Sequence, residues 1–238
     1  MPSPTVSTGR LVGLHLLPGV ILVTLYALLA PVAQGAGIPT FAVILALEVF
    51  FLAPFVAWKL ARVARAETGS GNPLAALGFA GPPRWRSYFW LVPLGLVAAI
   101  AAFEVLRPFD DALKAALAPW LPEWHYLKDM NRYPPQALIA LFAVAIFADG
   151  IVGPVAEELY FRGYLLPRMQ HLRAWAPVLN GALFALYHFW QPMNYPSILV
   201  ASLVLSGLGW WRRDYRVPLL VHCSMNTLGH LLGLASLL

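Results

Sequence analysis

Residues 153–166 read GPVAEELYFRGYLL. Glu157, Glu158 and Arg162 stand there together in surroundings almost free of charge. The segment 136–161, which holds both glutamates, is otherwise a long apolar run. Its length suits a membrane span, because a bilayer core needs about 20 helical residues. An ionisable group inside a span costs roughly 2.5–3.5 kcal/mol on insertion scales, so three in one turn and a half call for a functional reason.

The rest of the chain has the same character. It has 238 residues, of which 60% are hydrophobic and 11% charged. A soluble domain carries about 25% charged residues. With a mean hydropathy of +0.68, the class is an all-α, polytopic membrane helix bundle. Seven apolar segments stand out, at 11–33, 39–58, 87–106, 136–161, 175–193, 196–211 and 217–238. They lack the alternation of barrel strands, so they read as about seven transmembrane helices. The fifth reaches span length only if it starts near Ala174 and runs to Met193. The long apolar run after Arg10 exceeds a signal-peptide core and reads as a retained first span. We expect one transmembrane domain over 1–238, with no soluble domain and no internal repeat.

The basic residues set the orientation. Arg10, Lys59, Arg62, Arg65, Arg84, Arg86, Arg162, Arg168, Arg173, Arg212, Arg213 and Arg216 fall on one set of alternating loops and span ends. The other set holds only Arg107, Lys114, Lys128 and Arg132, among Asp110, Asp111, Glu123 and Asp129. The N-terminus is therefore expected in the cytoplasm and the C-terminus outside. Of the two long loops, 59–86 reads as turns and an interfacial return around ETGSGNP and GPPRWR. The other, 107–135, suggests a short interfacial helix in DDALKAALAPWLPEW. The net charge of +5 is a loop property, and no Lys/Arg run has the aromatic interleaving that reads nucleic acid. Cys223 is the only cysteine, which excludes an intrachain disulfide and a cysteine metal cluster.

Polar groups from distant segments share one depth. Counted at 1.5 Å per residue, Glu157, His188, His222 and Asn226 fall in a band roughly 8–20 Å above the basic end. Glu158 and Arg162 are at i, i+4 with the acid first, the favoured order for a pair. That pairing leaves Glu157 free, on the face shared with Asp149, Gly153 and Phe161. His222 and Asn226 are also at i, i+4, so both can reach one substrate atom. Phe184 is placed to wall His188. Pro154, with Gly150 and Gly153 beside it, predicts a kink just before the glutamates. Asp149 and Glu48 either line a water path or pair with another span. His15, His230 and Glu104 are expected near span ends, at the interface. Cys223 points about 100° from His222, and apolar surroundings blunt a thiol, so it is a poor nucleophile.

A glutamate removed from water suits a general base that takes a proton from water. A histidine and an amide on one helical face can donate to a developing oxyanion. These parts fit peptide-bond hydrolysis. Three motifs in order, EELYFR (Glu157–Arg162), FALYH (Phe184–His188) and HCSMN (His222–Asn226), resemble those of the CAAX-protease and bacteriocin-processing (CPBP) family, which includes the Rce1-type prenyl-protein endopeptidases. The resemblance covers about 155–226. It divides the chain into variable N-terminal spans and loops, 1–135, and catalytic core spans, 136–238.

The resemblance implies a glutamate-type intramembrane endopeptidase. Glu157, aided by His188, activates water, while His222 and Asn226 bind the oxyanion. Glu158, Arg162 and Phe184 support them. It implies a peptide or lipidated protein substrate at the bilayer and no cofactor. A zinc version would use Glu157, His188 and His222, but Asn226 is a poor zinc ligand and a good amide donor. The substrate is either a prenylated CAAX-like tail or a membrane-anchored or leader-bearing polypeptide, reached through a site open toward the cytoplasm. The Ala/Leu/Arg/Pro-rich composition suggests a prokaryotic cell (inner) membrane. Two other classes remain, a non-catalytic immunity or scaffold protein and a proton-coupled transporter. The transporter would need paired broken helices and a repeat, and the sequence has neither.

Overall fold

The computed structural model describes residues 7–81 and 85–238. Arg84 and the Pro82–Pro83 pair of the expected interfacial return lie outside them. Seven long helical elements carry the fold: α1 (Thr8–Gly35), α2 (Phe41–Thr68), α3 (Trp85–Leu117), α4 (Pro135–Leu172), α5 (Trp175–Tyr187), α6 (Tyr195–Arg212) and α7 (Arg216–Ala235). Among the described residues there is no β-strand, only an isolated bridge between Ala80 and Asp214. The fold is an all-α polytopic bundle.

Five helices, α1 to α4 and α7, are long and apolar enough to cross a membrane. The other two expected spans are shorter, with 18 residues in α6 and 13 in α5. At 1.5 Å per residue α5 is about 20 Å long, against a bilayer core of about 30 Å. It does not run on to Met193. His188 has φ −78° and ψ 53°, and the Phe189 amide donates to the Tyr187 carbonyl at 2.9 Å. This is the geometry of an inverse γ-turn, which lifts His188 out of the helix. The expected interfacial helix after Arg107 is also different. Residues 108–117 simply extend α3, and only short turns follow, at Ala118–Trp120 and Tyr126–Asp129.

Neither α2 nor α4 is a uniform α-helix. Wider π-turns interrupt α2 at Glu48–Leu52 and α4 at Ala148–Val152 and Leu159–Leu165. The expected kink before the glutamates takes the form of the second of these. Pro154 lacks an N–H and crowds the preceding turn, and the chain responds by widening at 148–152. Such π-bulges cluster at functional sites because they re-aim side chains and release carbonyls.

Hydrogen bonds tie each end of the bundle together. At one end Arg168 reaches Glu67 and the Ala76 carbonyl, Gly78 N–H donates to Gly163 O, and Arg212 reaches Ser87. At the other, the buried Asp129 carboxylate accepts from Thr40 N–H and Gln34, and His125 Nε2 lies 3.2 Å from the Trp190 carbonyl. Burial holds the His125 imidazole below its ordinary pKa, consistent with a neutral ring closing this loop.

The α1–α5 contact is unusually close. A Cβ on Gly19 would sit 2.1 Å from the Tyr187 carbonyl oxygen, so only glycine lets α1 pass beneath the turn that carries His188. Gly19→Ala should cost about 1–3 kcal/mol, as overpacking does. Thermal unfolding in detergent, followed by tryptophan fluorescence, should show a lower midpoint. An unchanged midpoint would refute this close approach.

Candidate active site

Glu157 and Glu158 sit in a six-residue α-helical piece, Gly153–Glu158, between two π-turns of α4. The two carboxylates have different surroundings. Glu158 is fully buried and accepts from Arg162 Nη1 at 2.9 Å, as the i, i+4 spacing predicts. The same oxygen, Oε1, also lies 2.9 Å from His222 Nδ1. This second bond, from a helix 64 residues away, was not legible in the sequence. The Arg162 guanidinium lies over the Phe184 ring at 4.0 Å from its centroid and reaches Ser206 Oγ at 3.4 Å. Phe184 thus packs against the cation, His188 and His222 together.

Glu157 has no such ion pair. Its Oε1 lies 3.9 Å from His188 Nε2 and its Oε2 lies 3.9 Å from His222 Nε2. These gaps are too long for direct hydrogen bonds and suit a bridging water. The tautomer of His188 follows from its other nitrogen. Nδ1 lies 2.8 Å from the Phe184 carbonyl, which can only accept. Nδ1 therefore carries the proton, and Nε2 of the neutral ring offers a lone pair toward Glu157.

Asn226 is engaged differently from expectation. Its Nδ2 donates to the Asp149 carbonyl at 3.0 Å and approaches the Asp149 carboxylate at 3.5 Å. The π-turn at 148–152 makes this contact available. The carbonyls of Asp149 and Gly150 face α7, where Asn226 and Thr227 donate to them. A Cβ on Gly150 would meet Thr227 Oγ1 at 2.8 Å, so glycine is needed for this approach.

Two expectations about outlying residues are corrected. His230 is not interfacial, since its Nε2 bonds the Asp149 carboxylate beside the site. His15 is also fully buried. Its Nδ1 donates to the Leu11 carbonyl, and its Nε2 accepts from Asn180, whose side-chain oxygen accepts from Ser206. Glu48 lies against Gly153, beside Asp149. Glu104 does lie at the surface, paired with Arg107. The His230 signal was present in the sequence, where His222, Asn226 and His230 repeat every four residues along one face of α7.

A cavity of about 540 Å³ joins these groups. Glu48, Asp149, Glu157, His188, His222 and Asn226 line it. Its remaining wall is largely apolar, and its lining extends to Tyr126, Gln191 and Asn194. Those three belong to the end tied together by Asp129 and His125, opposite the Arg168 end. On that side the Arg162–Ser206–Asn180–His15 chain, each member 0% exposed, closes the floor.

Zinc chemistry would need Glu157, His188 and His222 to converge on one ion. Among the described residues, no group of three or more His, Cys, Asp and Glu side chains is gathered closely enough to hold a metal ion.

Residues 139–228 match the family described as Type II CAAX prenyl endopeptidase Rce1-like. The match spans under half of the chain and includes all three motifs and Asp149. No curated protein and no solved structure was found to match. The 139–228 core is thus similar to Rce1-like CAAX prenyl endopeptidases, a family of intramembrane proteases.

Removing Arg162 should leave Glu158 as a buried carboxylate without its cation. Breaking a buried pair from one side costs about 3–5 kcal/mol. Arg162→Met should therefore unfold or aggregate on size-exclusion chromatography. The double variant Glu158→Gln/Arg162→Met, with no unpaired charge, should recover most of the folded fraction. A stable single variant would contradict the pairing.

Proposed function

We propose that this chain is a glutamate-type intramembrane endopeptidase, with Glu157 as the base. The observation that carries the reading is the Glu157 carboxylate on a cavity wall, with Oε1 3.9 Å from His188 Nε2 and Oε2 3.9 Å from His222 Nε2. A water about 2.8 Å from both Glu157 Oε1 and His188 Nε2 would span the gap with normal hydrogen-bond lengths. Both acceptors take its hydrogens, which leaves an oxygen lone pair for a substrate carbonyl.

In the first step the water oxygen attacks the scissile carbonyl carbon, and its proton passes to Glu157. The carbonyl oxygen becomes the oxyanion of a tetrahedral intermediate. His222 donates to it from Nε2–H, and Asn226 donates through the amide hydrogen not held by the Asp149 carbonyl, displacing the longer contact to the Asp149 carboxylate. For His222 to donate from Nε2 while bonded to Glu158 through Nδ1, it must be an imidazolium. Charge balance supports this, because two carboxylates, Glu157 and Glu158, otherwise face the single cation Arg162. In the second step the oxyanion collapses and the C–N bond breaks. Glu157 returns its proton to the leaving amine, giving a carboxylic acid and an amine, and the acid's remaining proton passes to the amine on release. No step passes through a metal ion.

Placing the chain in a bacterial inner membrane is part of the same proposal. The substrate is a prenylated CAAX-like tail or a membrane-anchored or leader-bearing polypeptide. The test is proteolysis by purified protein in detergent against a panel of such peptides. Glu157→Ala should abolish cleavage while the thermal midpoint holds. His222→Ala and Asn226→Ala should each lose about 10²–10³ in kcat, the usual cost of an oxyanion donor. A chelator should leave the rate unchanged, and loss restored by zinc would replace this mechanism. Undiminished cleavage by Glu157→Ala would end the glutamate reading and favour a scaffold.

A further inference from the structure

We propose that the cavity opens on the extracytoplasmic face, and that the substrate is a polypeptide held by a transmembrane anchor and cut on that outer side. The substrate half rests on the protease reading above. The choice of face does not, because it follows from the two ends of the bundle.

Hydrogen bonds define each end independently of any orientation. One end gathers the chain around Glu67–Gly81, Gly163–Arg173 and Arg212–Arg216. There Arg168 bonds Glu67, Gly78 bonds Gly163, Phe79 accepts from Tyr215, and Arg216 bonds Gly81. The other end gathers Gln34–Thr40, the 118–134 loop and the turn at 188–194. There Asp129 holds Thr40 and Gln34, His125 meets Trp190, and Ser197 bonds Asp110 at the tip of α3.

Lysine and arginine divide unequally between these ends. Leaving aside Arg162, which is buried within α4, the first end and its flanks carry ten described basic residues: Arg10, Lys59, Arg62, Arg65, Arg86, Arg168, Arg173, Arg212, Arg213 and Arg216. The second carries four, Arg107, Lys114, Lys128 and Arg132. Basic residues near span ends stay in the cytoplasm, so the first end is cytoplasmic.

The cavity belongs to the second end. Its lining includes Tyr126, Gln191 and Asn194 from the loops there and Leu232 from the last turns of α7. Toward the cytoplasmic end it stops at Glu157, Phe184 and His222. Beneath them lies the closed Arg162–Ser206–Asn180–His15 network, whose four side chains have no exposure. Water and peptide therefore have a route to Glu157 from the extracytoplasmic loops and a sealed floor on the other side. A prenylated tail, made and displayed in the cytoplasm, would meet that floor.

The walls say how the substrate is held. Near the floor α3 and α7 pack tightly, since a Cβ on Gly95 would come within 2.8 Å of Val221. Further out, Ile100 and Phe103 of α3 and Leu228 and Leu232 of α7 line the cavity together. Leu232 is 63% exposed, so this cleft opens sideways in the outer half of the membrane. An apolar anchor helix fits beside it. From His222 to the end of α7 at Ala235 is about 20 Å at 1.5 Å per residue. At about 3.3–3.6 Å per extended residue, roughly six residues beyond the anchor must unwind to bring a peptide bond to Glu157.

The test has two independent readouts. In a Cys223→Ser background, single cysteines are placed at Glu123, Gln191 and His171, and spheroplasts of an expressing bacterium are treated with a membrane-impermeant maleimide. Glu123→Cys and Gln191→Cys should label in intact spheroplasts, and His171→Cys only after permeabilisation. The reverse pattern overturns the choice of face, whether or not the protein cleaves anything. In proteoliposomes, a single-span polypeptide with its cleavable flank on the cavity-mouth side should be cut at least tenfold faster than a prenylated CAAX peptide. Preference for the prenylated peptide overturns the substrate class. Failure to cut either overturns both that class and the protease reading, while labelling still decides the face.

Discussion

The carboxylate of Glu158 is the constraint on which the site depends. One of its oxygens meets both Arg162 and His222, at 2.9 Å each, with no exposure to solvent. In a low-dielectric interior an unpaired charge is intolerable, so the three side chains hold α4 and α7 in one register. Phe184 lies across Arg162 and brings α5 into the same cluster. Glu157 instead faces His188 and His222 at 3.9 Å each. The geometry thus separates two adjacent glutamates into a structural acid and an acid facing the cavity.

The π-turns complete this division. A regular α-helix would direct the carbonyls of Asp149 and Gly150 along its own axis. The wider turn at 148–152 frees them to accept from Asn226 and Thr227 of α7. The Asp149 carboxylate then takes His230. Asn226 is therefore fixed by α4 on one side and by its own helix on the other, which is the preorganisation an oxyanion donor needs.

Much of this was legible in the sequence because it depends on local spacing. The helical class follows from apolar runs, and the Glu158–Arg162 pair follows from i, i+4 geometry. Glu157, His188, His222 and Asn226 could be placed at one depth by counting residues from the basic loops, and the structure brings them to one cavity. The remainder depends on contacts that spacing does not encode. The Glu158–His222 bond requires the relative rotation of two helices. The early end of α5 comes from a γ-turn at His188, within a sequence that is apolar throughout. His15 was assigned to the interface from its place near the chain start, whereas its partner Asn180 lies 165 residues away. Depth gives the position of polar groups and says nothing of which end of the cavity is closed. The buried Arg162–Ser206–Asn180–His15 network beneath it draws on four separate helices.

The central claim is that Glu157 supplies chemistry and neither fold nor binding. Its most direct test measures substrate affinity and single-turnover cleavage side by side on Glu157→Gln, which keeps the shape and removes the base. The account predicts an unchanged dissociation constant for a cleavable peptide and no detectable product. Cleavage at the wild-type rate by this variant would contradict it.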